Sequence, residues 1–461
     1  MNVNSSKYIY CVGIGGIGLS GLARILHWQG KTVSGSDLIA SEITGGLLEL
    51  GIDVKIGPPR ASNIPENIDL VVHTTAIPID HVEIESARNR GIRIISYPEA
   101  LGQLTGGKFL ITISGTHGKS TTTAFVSHLL RTAGWDPTTI VGSLVPEFGG
   151  NAQLGRSKYF VLEADEYNRA FLNYSPQVAI ITNIERDHLD VYRDLNDLKT
   201  TFQKFLQQVK ADGFVVANAD DPVVKKIIPE LDSKIVTYGI QSGDYRAKDI
   251  RYGTHVSFEL DDFGAVSLTL PGKHNVYNAL AMIATGLQLG IEAETIKTTL
   301  QNFIGLWRRF ERVGSYEGNP IITDYAHHPT EIQVTLRAAK EAYPGKRILA
   351  VFQPHQRHRT QMLFQEFCDA FSDAGGIILS EIYEVAGREE ENNSVSVQQM
   401  FDVMQMKGLN VQMARDLKET KDLIKKVIQP NDVVVVMGAG SIDQVARDLA
   451  QGEEYTAETT R

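Results

Sequence analysis

The chain has little of what marks exported, membrane-spanning or disulfide-stabilised proteins. It contains two cysteines in 461 residues, Cys11 and Cys368, and their wide separation gives neither a disulfide framework nor a metal-binding pattern. No apolar run approaches the ~20 residues that a membrane span needs. The apolar stretch near the N-terminus is interrupted by glycines from Gly13 onward and by Arg24, which is not typical of a signal peptide. We therefore expect a cytoplasmic protein with no membrane partner.

Positively charged residues are fewer than negatively charged ones. The chain has 45 Lys and Arg against 55 Asp and Glu, a formal net charge of −10 at pH 7. This balance argues against a general nucleic-acid binder, which usually presents a basic face. The apolar content of 42% and charged content of 22% are ordinary for a soluble globular protein. The length predicts about three domains, on a prior of about 150 residues each.

The most informative segment is a turn of small residues between a strand pattern and a helix pattern. An apolar run from Phe109 to Ile113 leads into Gly115-Thr-His-Gly-Lys-Ser120. Backbone N–H groups in such a turn surround phosphate oxygens, Lys119 adds a point charge, and the Ser120 hydroxyl can reach Mg²⁺. Ile113 stands where the longer form of the motif has glycine, so the match is to the shorter form. The segment predicts ATP or GTP binding; a plain glycine-rich helix cap is the alternative.

A second glycine cluster lies about 100 residues earlier. Gly13-Ile-Gly-Gly-Ile-Gly18 follows the strand pattern from Tyr8 to Val12, and Asp37 stands about twenty residues further on. Taken alone, this is a dinucleotide fingerprint that indicates NAD. The more general interpretation is a helix N-terminus that holds a diphosphate of any kind. A purely structural glycine turn remains the third possibility.

Strand patterns alternate with helix patterns along most of the chain, which predicts α/β domains with parallel sheets. The expected strands are Tyr8 to Val12, Thr32 to Ser36, Leu70 to Thr74, Arg93 to Ser96, Phe109 to Ile113, Tyr159 to Glu163, Val178 to Thr182, Gly213 to Ala217, Ile321 to Thr323, Ile348 to Phe352, Ile377 to Leu379 and Val433 to Met437. Fresh strands after breaks in the pattern place the domain boundaries at 1–107, 108–312 and 313–461. The polar tail after Gln451 is expected to fray.

Acidic groups follow two central strand patterns, where a Mg²⁺ site would need them. Glu163 ends one strand and is followed by Ala-Asp-Glu166, while Asp187-His188-Leu-Asp190 follows the next. A carboxylate at the carboxyl end of a parallel strand, beside a phosphate loop, can hold Mg²⁺ directly or through water. For His188 the alternative is an ordinary loop histidine.

Two polar turns follow strand patterns in the C-terminal third. They are Asp324-Tyr-Ala-His-His-Pro329 and Gln353-Pro-His-Gln-Arg-His-Arg-Thr360. In the second turn, Arg357, His358 and Arg359 could bind carboxylates or phosphates. The histidine spacing fits no standard zinc pattern, and solvated loops are the alternative.

Together and in this order, these segments resemble the Mur ligase family of ATP-dependent enzymes of peptidoglycan synthesis. The resemblance runs from about Tyr8 to about Val445. The motifs that carry it are Gly13–Gly18, Gly115–Ser120, Glu163–Glu166, Asn183–Asp190, His274-Asn275, Arg308-Arg309-Phe310, Asp324–Pro329 and Phe352–His355. Within the family, the chain is most similar to the members that add L-alanine to UDP-N-acetylmuramate.

The resemblance implies an α/β fold of three domains: an N-terminal Rossmann-like UDP-binding domain, a central P-loop ATP-binding domain and a C-terminal Rossmann-like domain. The first glycine loop would then take the UDP diphosphate, with no nicotinamide involved. The substrates would be UDP-N-acetylmuramate and L-alanine, with ATP and Mg²⁺ as cofactors. A monomer or homodimer is expected, with no nucleic-acid partner.

The resemblance also implies roles for residues at matching positions. The UDP-sugar would contact Gly13, Gly15, Gly16, Ile17, Gly18, Asp37, Thr74 and Thr75. ATP would contact Gly115, Thr116, His117, Gly118, Lys119, Ser120, Thr121, Asn275, Arg309 and Asp324. The metal ligands would be Ser120, Glu163 and His188, and the amino acid would lie near Tyr325, His327, His355 and Arg359. The expected catalytic residues are Lys119, His188, Arg309, His327 and His355, with His327 or His355 as the base.

The chain departs from the L-alanine-adding pattern at two places. Gln356 stands where those members usually have arginine after Gln-Pro-His, and Tyr97-Pro-Glu-Ala100 also differs. Arg357 or Arg359 could replace the missing guanidinium. The alternatives are a ligase that recycles a tripeptide onto the same sugar and one that adds glycine or serine. Outside the family, the alternatives are an ATP-driven switch or binding protein and an NAD-linked oxidoreductase.

Overall fold

A computed structural model describes residues 2–78, 80–188, 191–384 and 395–451. Asp190 and the tail beyond Gln451, both part of the sequence predictions, lie outside these residues. The chain separates into two compact units: Met1–Lys248 with Leu260–Gly264 and Tyr277–Phe303, and Asp249–Glu259 with Ala265–Val276 and Ile304–Arg461. The α/β fold is confirmed, and the exact domain boundaries remain a prediction.

The first unit begins with a five-stranded parallel sheet. Its strands are β1 (Tyr8–Val12), β2 (Thr32–Asp37), β3 (Asp53–Ile56), β4 (Leu70–His73) and β5 (Arg93–Ser96). Its helices are α1 (Ile17–Trp28), α2 (Glu42–Glu49), α3 (Val82–Asn89) and α4 (Tyr97–Thr105). The strand order is β3-β2-β1-β4-β5, so the order reverses between β1 and β4. In open α/β sheets, ligands bind at the carboxyl ends of the strands at such a reversal.

A second sheet carries the phosphate loop. Its strands in the first unit are β6 (Phe109–Ser114), β7 (Thr138–Val145), β8 (Gly150–Gln153), β9 (Tyr159–Glu163), β10 (Val178–Ile181), β11 (Phe214–Asn218) and β12 (Lys234–Gly239). The order is β12-β11-β10-β6-β9-β7-β8, and only the β7–β8 pair of these is antiparallel. Strand β6 therefore lies between β9 and β10, whose carboxyl ends carry the acidic segments.

Helices and short strands complete the middle of the chain. The helices are α5 (Lys119–Thr132), α6 (Leu195–Leu206), α7 (Val224–Ile227), α8 (Lys273–Gln288) and α9 (Ala293–Asn302). The short strands are β13 (Tyr245–Arg251), β14 (Val256–Leu260) and β15 (Gly264–Leu268). They lie between residues 245 and 268.

The second unit contains a six-stranded sheet. Its strands are β16 (Glu311–Tyr316), β17 (Asn319–Asp324), β18 (Arg347–Phe352), β19 (Gly376–Leu379), β20 (Val411–Met413) and β21 (Asp432–Met437). Its helices are α10 (Pro329–Ala342), α11 (Arg357–Met362), α12 (Phe364–Asp369), α13 (Val397–Met406), α14 (Leu417–Val427) and α15 (Asp443–Ala450). The order is β16-β17-β21-β18-β19-β20, with only β16–β17 antiparallel.

Burial explains why the central strands read as continuous apolar runs. Strand β21 is buried at every position, and β10 likewise, because helices cover both faces of a parallel sheet. The polar residues at the carboxyl ends of these strands are therefore held in place by the buried core of the sheet. Among the described residues, no helix is both long enough and apolar enough to cross a bilayer.

Candidate functional site

The first glycine loop joins β1 to α1 and is held by the end of β2. The N–H groups of Gly13 and Ile14 donate to the Ser36 carbonyl at 2.9 and 3.0 Å. Gly13 has a φ of +78°, and a Cβ there would lie 2.5 Å from Thr74 Cγ2. Only glycine fits at that position, because both the backbone conformation and the space exclude a side chain. The structure thus brings this loop and Thr74 together, as predicted from sequence.

Asp37, the last residue of β2, holds the same loop through its side chain. Its Oδ2 accepts the Gly15 N–H at 2.8 Å. Gly16 is the N-cap residue of α1 and supplies no side-chain cap, so the N–H groups at the start of α1 are suited to an anion. Gly18 lies against Tyr97, whose ring would be 2.8 Å from a Cβ at that position. Thr75 lies in the connection between β4 and α3, next to Thr74.

The phosphate loop joins β6 to α5. Gly115 and Gly118 have φ values of +132° and +81°, which side-chain-bearing residues rarely adopt. The Thr116 N–H donates to the Asn183 carbonyl at 3.0 Å, and the His117 N–H donates to Asn183 Oδ1 at 2.9 Å. Asn183 follows β10, so the neighbouring strand fixes the shape of the turn.

Lys119 is the first residue of α5, and its ammonium is already paired. The Nζ atom lies 3.0 and 2.9 Å from the two carboxylate oxygens of Glu166. It also donates to the carbonyls of Gly115 at 2.6 Å and Thr116 at 3.2 Å. The side chain of Glu166 is 1% exposed, which makes this a buried ion pair beneath the turn.

Two of the three predicted metal ligands meet beside Lys119. Ser120 Oγ lies 3.2 Å from Glu163 Oε1, and Glu163 Oε2 accepts the Gly142 N–H at 2.7 Å. A hydroxyl and a carboxylate are oxygen donors of the kind that Mg²⁺ prefers, so this pair fits the ion. Thr121, also in the first turn of α5, is buried.

His188 lies against a different carboxylate. Its Nε2 is 3.5 Å from Glu166 Oε1, and possible ligand atoms of Asp165, Glu166 and His188 all lie within 4.8 Å of one another. The Tyr167 ring packs on the imidazole with centroids 5.1 Å apart. The acidic segment therefore offers a second candidate metal position beside the Ser120–Glu163 pair.

Electrostatic coupling sets the protonation of this cluster. Burial alone would lower the pKa of Lys119, but Glu166 and the neighbouring acids raise it above its usual value. Burial opposes ionisation of Glu166, yet Lys119 and His188 bring its pKa below normal. The pKa of His188 is raised by Glu166 and Asp187 against the effect of burial. Burial and Glu166 raise the pKa of Asp165. The lysine is therefore a fixed cation at neutral pH.

In the second unit, Asp324 ends β17 and orders two backbone segments. Its Oδ2 accepts the Phe310 N–H at 2.7 Å and its Oδ1 accepts the Ala326 N–H at 2.8 Å. Burial raises the pKa of this carboxyl to about 6, against the opposing charge of Arg309. Asp324 is consequently ionised at neutral pH and titrates in the mildly acidic range.

The paired arginines before β16 have different environments. Arg308 is buried, donates to the Gly438 carbonyl, and its Nε lies 3.9 Å from Asp443 Oδ1. The guanidinium carbons of Arg308 and Arg309 lie 4.9 and 5.3 Å from the ring centroid of Tyr325. Arg308 therefore fixes the segment, while Arg309 is the candidate ligand contact.

The two candidate bases approach each other in the second unit. The rings of His327 and His355 have centroids 6.3 Å apart. His327 Nδ1 lies 3.0 Å from the Tyr325 carbonyl and 3.3 Å from Glu331 Oε2. Since both neighbours are acceptors, Nδ1 carries the proton and Nε2 keeps the lone pair in the neutral ring. The His355 ring stacks on Tyr383 at 5.5 Å.

The turn after β18 carries Gln356 and the neighbouring cation Arg357. Gln356 has a φ of +67°, and its N–H donates to the Tyr383 carbonyl at 2.9 Å. Arg357 forms an ion pair with Glu384 and donates to the Val395 carbonyl at 2.9 Å. These contacts engage the side chain of Arg357 in the absence of substrate. The replacement of the missing guanidinium by Arg357 or by Arg359, in α11, stays a prediction.

Asn275 lies near the start of α8 beside an unusual histidine. Its Nδ2 donates to the Pro271 carbonyl at 2.8 Å and lies 3.2 Å from His274 Nε2. Burial, together with the charge of Arg309, lowers the pKa of His274 to about 4. His274 is therefore neutral in the folded protein at physiological pH.

Sequence reasoning gave no role to two residues of the phosphate-loop site. Asn278 packs on the loop, since a Cβ on Gly118 would lie 2.5 Å from its Oδ1, and it accepts from Thr122 Oγ1 at 3.2 Å. Its place one turn after Asn275 was an available signal. Glu166 lies in the acidic motif, but only the fold shows that it reaches Lys119.

Comparisons with known proteins match this architecture segment by segment. Family models match residues 8–109 as "Mur ligase family, catalytic domain", 113–286 as "Mur ligase middle domain" and 308–440 as "Mur ligase, glutamate ligase domain". A UDP-N-acetylmuramate–L-alanine ligase of Caldanaerobacter subterraneus subsp. tengcongensis is 40% identical over 469 aligned positions, covering 100% of both chains. The chain belongs to the Mur ligase family.

Other Mur ligases extend the comparison. The enzyme of the same name from Clostridium tetani is 41% identical, covering 95% of this chain and 96% of its own. The UDP-N-acetylmuramate–alanine ligase structure from Thermotoga maritima superposes with a TM-score of 0.83 at 30% identity, covering 96% and 98% of the chains. A murein peptide ligase from Psychrobacter arcticus gives 0.73 at 25% identity with the same coverage. The three-domain Mur ligase fold and the resemblance to the L-alanine-adding members predicted from sequence are thus confirmed.

Proposed function

We propose that the protein joins L-alanine to the lactyl carboxylate of UDP-N-acetylmuramate, using ATP, in peptidoglycan precursor synthesis. The observation that carries this function is 40% identity over the full chain to a ligase so named. The phosphate loop and the first glycine loop add the two anion sites that such a reaction needs. Through cell-wall synthesis, the activity would support cell shape and division.

The three predicted domains would divide the ligands. Residues 1–107 would bind the UDP-sugar at Gly13–Gly18, Asp37, Thr74 and Thr75. Residues 108–312 would bind ATP at the phosphate loop and Asn275. Residues 313–461 would contribute Asp324 and the amino-acid site. The assignment of the UDP-sugar to residues 1–107 is supported by the positive φ of Gly13 and by the hydrogen bonds of Gly13 and Ile14 to the Ser36 carbonyl.

A carboxylate is a poor acylating agent, so the reaction needs an activated acid. A carboxylate oxygen of the sugar would attack the γ-phosphorus of ATP, ADP would leave, and an acyl phosphate would form. The amine of L-alanine would then attack the acyl carbon, releasing phosphate and forming the amide. Lys119 and Arg309 would stabilise negative charge on the transferring phosphoryl group. Mg²⁺, held by Ser120 and Glu163 with His188 nearby, would supply further charge neutralisation.

The amine must lose a proton when it attacks, and His327 is the better placed base. Its Nδ1 is directed at the Tyr325 carbonyl and Glu331, which leaves the lone pair on Nε2. His355, stacked on Tyr383, is the second candidate. Imidazole is the side chain most often used for proton transfer of this kind.

Arg359 is the proposed partner of the amino-acid carboxylate. The resemblance to the family assigns Arg359 to the amino-acid site, and Gln356 contributes an amide in place of a charge. A guanidinium binds a carboxylate through two parallel hydrogen bonds. Tyr325 and His355 would line the same site.

Phosphate release with ATP and UDP-N-acetylmuramate tests the function directly. L-alanine, glycine, L-serine and the L-Ala-D-Glu-diaminopimelate tripeptide are offered in separate reactions, and products are weighed by mass spectrometry. We expect L-alanine to give the fastest release and an amide-linked product. Release without the UDP-sugar would favour an ATP-driven switch, and preference for the tripeptide would favour the recycling ligase.

A further inference from the structure

A buried carboxylate lies behind the first glycine loop. Glu83 stands in the first turn of α3 and is 0% exposed. Its two oxygens accept hydrogen bonds from Ser36 Oγ at 2.5 Å and from Asn63 Nδ2 at 2.6 Å. Both donors are uncharged. Within the described residues, this carboxylate is therefore held by hydrogen bonds and not by an ion pair.

General stability does not explain an acid at this position. Burying a carboxylate without a counter-ion is costly, and a core position is normally filled by an apolar side chain. The start of a helix favours negative charge, but the exposed Glu85 in the same turn already supplies it. The placement of Glu83 consequently indicates a more specific task.

That task is visible in what Ser36 does. The Ser36 hydroxyl donates to Glu83, while the carbonyl of the same residue accepts the N–H groups of Gly13 and Ile14. The next residue, Asp37, accepts the Gly15 N–H. Three consecutive N–H groups of the loop are thus oriented by the end of β2, and Glu83 fixes that end.

Asn63 holds Glu83 from the opposite side. It ends a short 3₁₀ turn, Ala61–Asn63, and its carbonyl accepts from Lys55 Nζ at 2.9 Å. The carboxylate therefore joins the β2 end, the segment before β4 and helix α3. An amide at position 83 would offer one acceptor oxygen where the two donors now use two.

We propose that Glu83 is a positioning residue for the diphosphate of the UDP-sugar, acting through Ser36 on the loop Gly13–Gly15. The inference rests on the proposed function, in which this loop holds the UDP-sugar. Glu83 itself touches no substrate. Its carboxylate fixes the end of β2, whose acceptors hold the loop Gly13–Gly15 and thereby set the position of the N–H groups that begin α1, and so governs affinity for one substrate only.

Glu83→Gln in the full-length protein is the direct test. We expect the Kd and the KM for UDP-N-acetylmuramate to rise about tenfold, the change expected when one hydrogen bond of a buried group is lost. The KM for ATP and kcat should stay within about twofold. Glu85→Gln, an exposed glutamate in the same turn, is the matched control and should behave as wild type.

Ser36→Ala gives a second, milder variant that keeps the test decisive if Glu83→Gln does not fold. It should also weaken UDP-sugar binding selectively, and the double variant should bind no more weakly than Glu83→Gln alone, because both changes break one chain of contacts. Calorimetric titration, phosphate-release kinetics and thermal unfolding supply the readouts.

Three outcomes would overturn the inference. Unchanged or tighter UDP-sugar binding by Glu83→Gln would show that the loss of negative charge near the diphosphate matters at least as much as the lost hydrogen bond. Equal rises in both KM values together with a lower Tm would show a general structural role. If the wild-type protein itself does not bind UDP-N-acetylmuramate, the proposed function falls and takes this inference with it, a result distinct from the other two.

Discussion

The ammonium of Lys119 is a buried cation with Glu166 as its counter-ion. We expect Lys119→Ala to abolish ATP turnover, because the charge facing the phosphates is lost, and to leave UDP-sugar affinity nearly intact. It should also destabilise the protein by about 3 kcal/mol, since Glu166 loses its partner in a buried site. Phosphate release, calorimetric binding of UDP-N-acetylmuramate and denaturant unfolding measure the three effects.

The double variant Lys119→Ala with Glu166→Gln is the control for this prediction. Neutralising residue 166 should recover much of the lost stability without recovering turnover. Loss of UDP-sugar affinity together with turnover would contradict the division of ligands between the two glycine loops.

Two titratable residues of the second unit respond to acid in opposite ways. The pKa of His274 is lowered to about 4, so between pH 6.5 and 4 the unfolded chain binds a proton that the folded protein does not, and stability falls. The pKa of Asp324 is raised to about 6, so between pH 6 and 3.8 the folded protein binds the extra proton, and stability rises. The two effects offset each other in the wild type.

In Asp324→Asn, the loss of stability in acid that His274 causes should no longer be offset. We expect the fall in unfolding free energy from pH 7 to pH 4.5 to be about 2 kcal/mol larger than in the wild type, as follows from a pKa near 6 in the folded state. Urea unfolding followed by Trp307 fluorescence, with Trp28 and Trp135 replaced, reports on this unit. His274→Gln should change the difference in the opposite direction. An unchanged difference in Asp324→Asn would mean that this carboxyl titrates near its ordinary value.

At the scale of secondary-structure elements, the strand-to-helix turns are the positions most sensitive to substitution. Gly118→Ala should cost more than a left-handed backbone alone, because its Cβ would lie 2.5 Å from Asn278 Oδ1. We expect a loss of 2 kcal/mol or more (about 1 from the backbone and the rest from the clash) and weaker ATP binding. Thermal unfolding and nucleotide titration would measure both.

Gly107→Ala is the matched control for that turn. Gly107 has a similar φ of +78°, with open space where a Cβ would stand. It should lose about 1 kcal/mol and keep its ATP affinity. Equal losses in the two variants would show that the contact with Asn278 does not constrain the turn.

The sequence predicted the buried parallel strands well and missed edge strands such as β3, β8 and β20. Strands such as β6, β10 and β21 are continuous apolar runs because both faces are covered. Strand β8, Gly150–Gln153, has no β-branched residue and depends on its pairing with β7. The omitted β7 and β12 do carry β-branched residues, so a propensity argument could reach them.

The residues of the candidate site also differ in how well the sequence predicts them. Lys119, Ser120 and Glu163 could be predicted because each follows a buried strand or occupies a short motif. Glu83 could not, since its role depends on which distant segment it meets. The commitment of Arg357 to Glu384 also depends on tertiary structure, and sequence spacing alone left Arg357 and Arg359 equivalent.

At the scale of the whole molecule, three sheets appear in chain order, but their strand orders do not follow it. The sequence predicts alternation of strands and helices, whereas the reversal between β1 and β4 arises from the packing of helices on two faces. The two compact units also divide the chain at several points between residues 248 and 304, which the alternation of strands and helices does not predict.

Hydrogen exchange can test the division of ligands across the molecule. UDP-N-acetylmuramate should slow exchange at 13–18 and 74–75, and a non-hydrolysable ATP analogue should slow it at 115–121, because a bound ligand would cover each segment and reduce its opening. The measurement is deuterium uptake by mass spectrometry with each ligand alone. Protection of both segments by either ligand would contradict separate sites.

The ion pair of Lys119 and Glu166 has a consequence for how tightly nucleotide is held. Because the cation already has an internal anion, an arriving phosphate replaces one negative neighbour with another. The net gain is therefore smaller than for a bare charge, and added salt should affect nucleotide affinity only weakly, since the exchange happens out of reach of mobile ions.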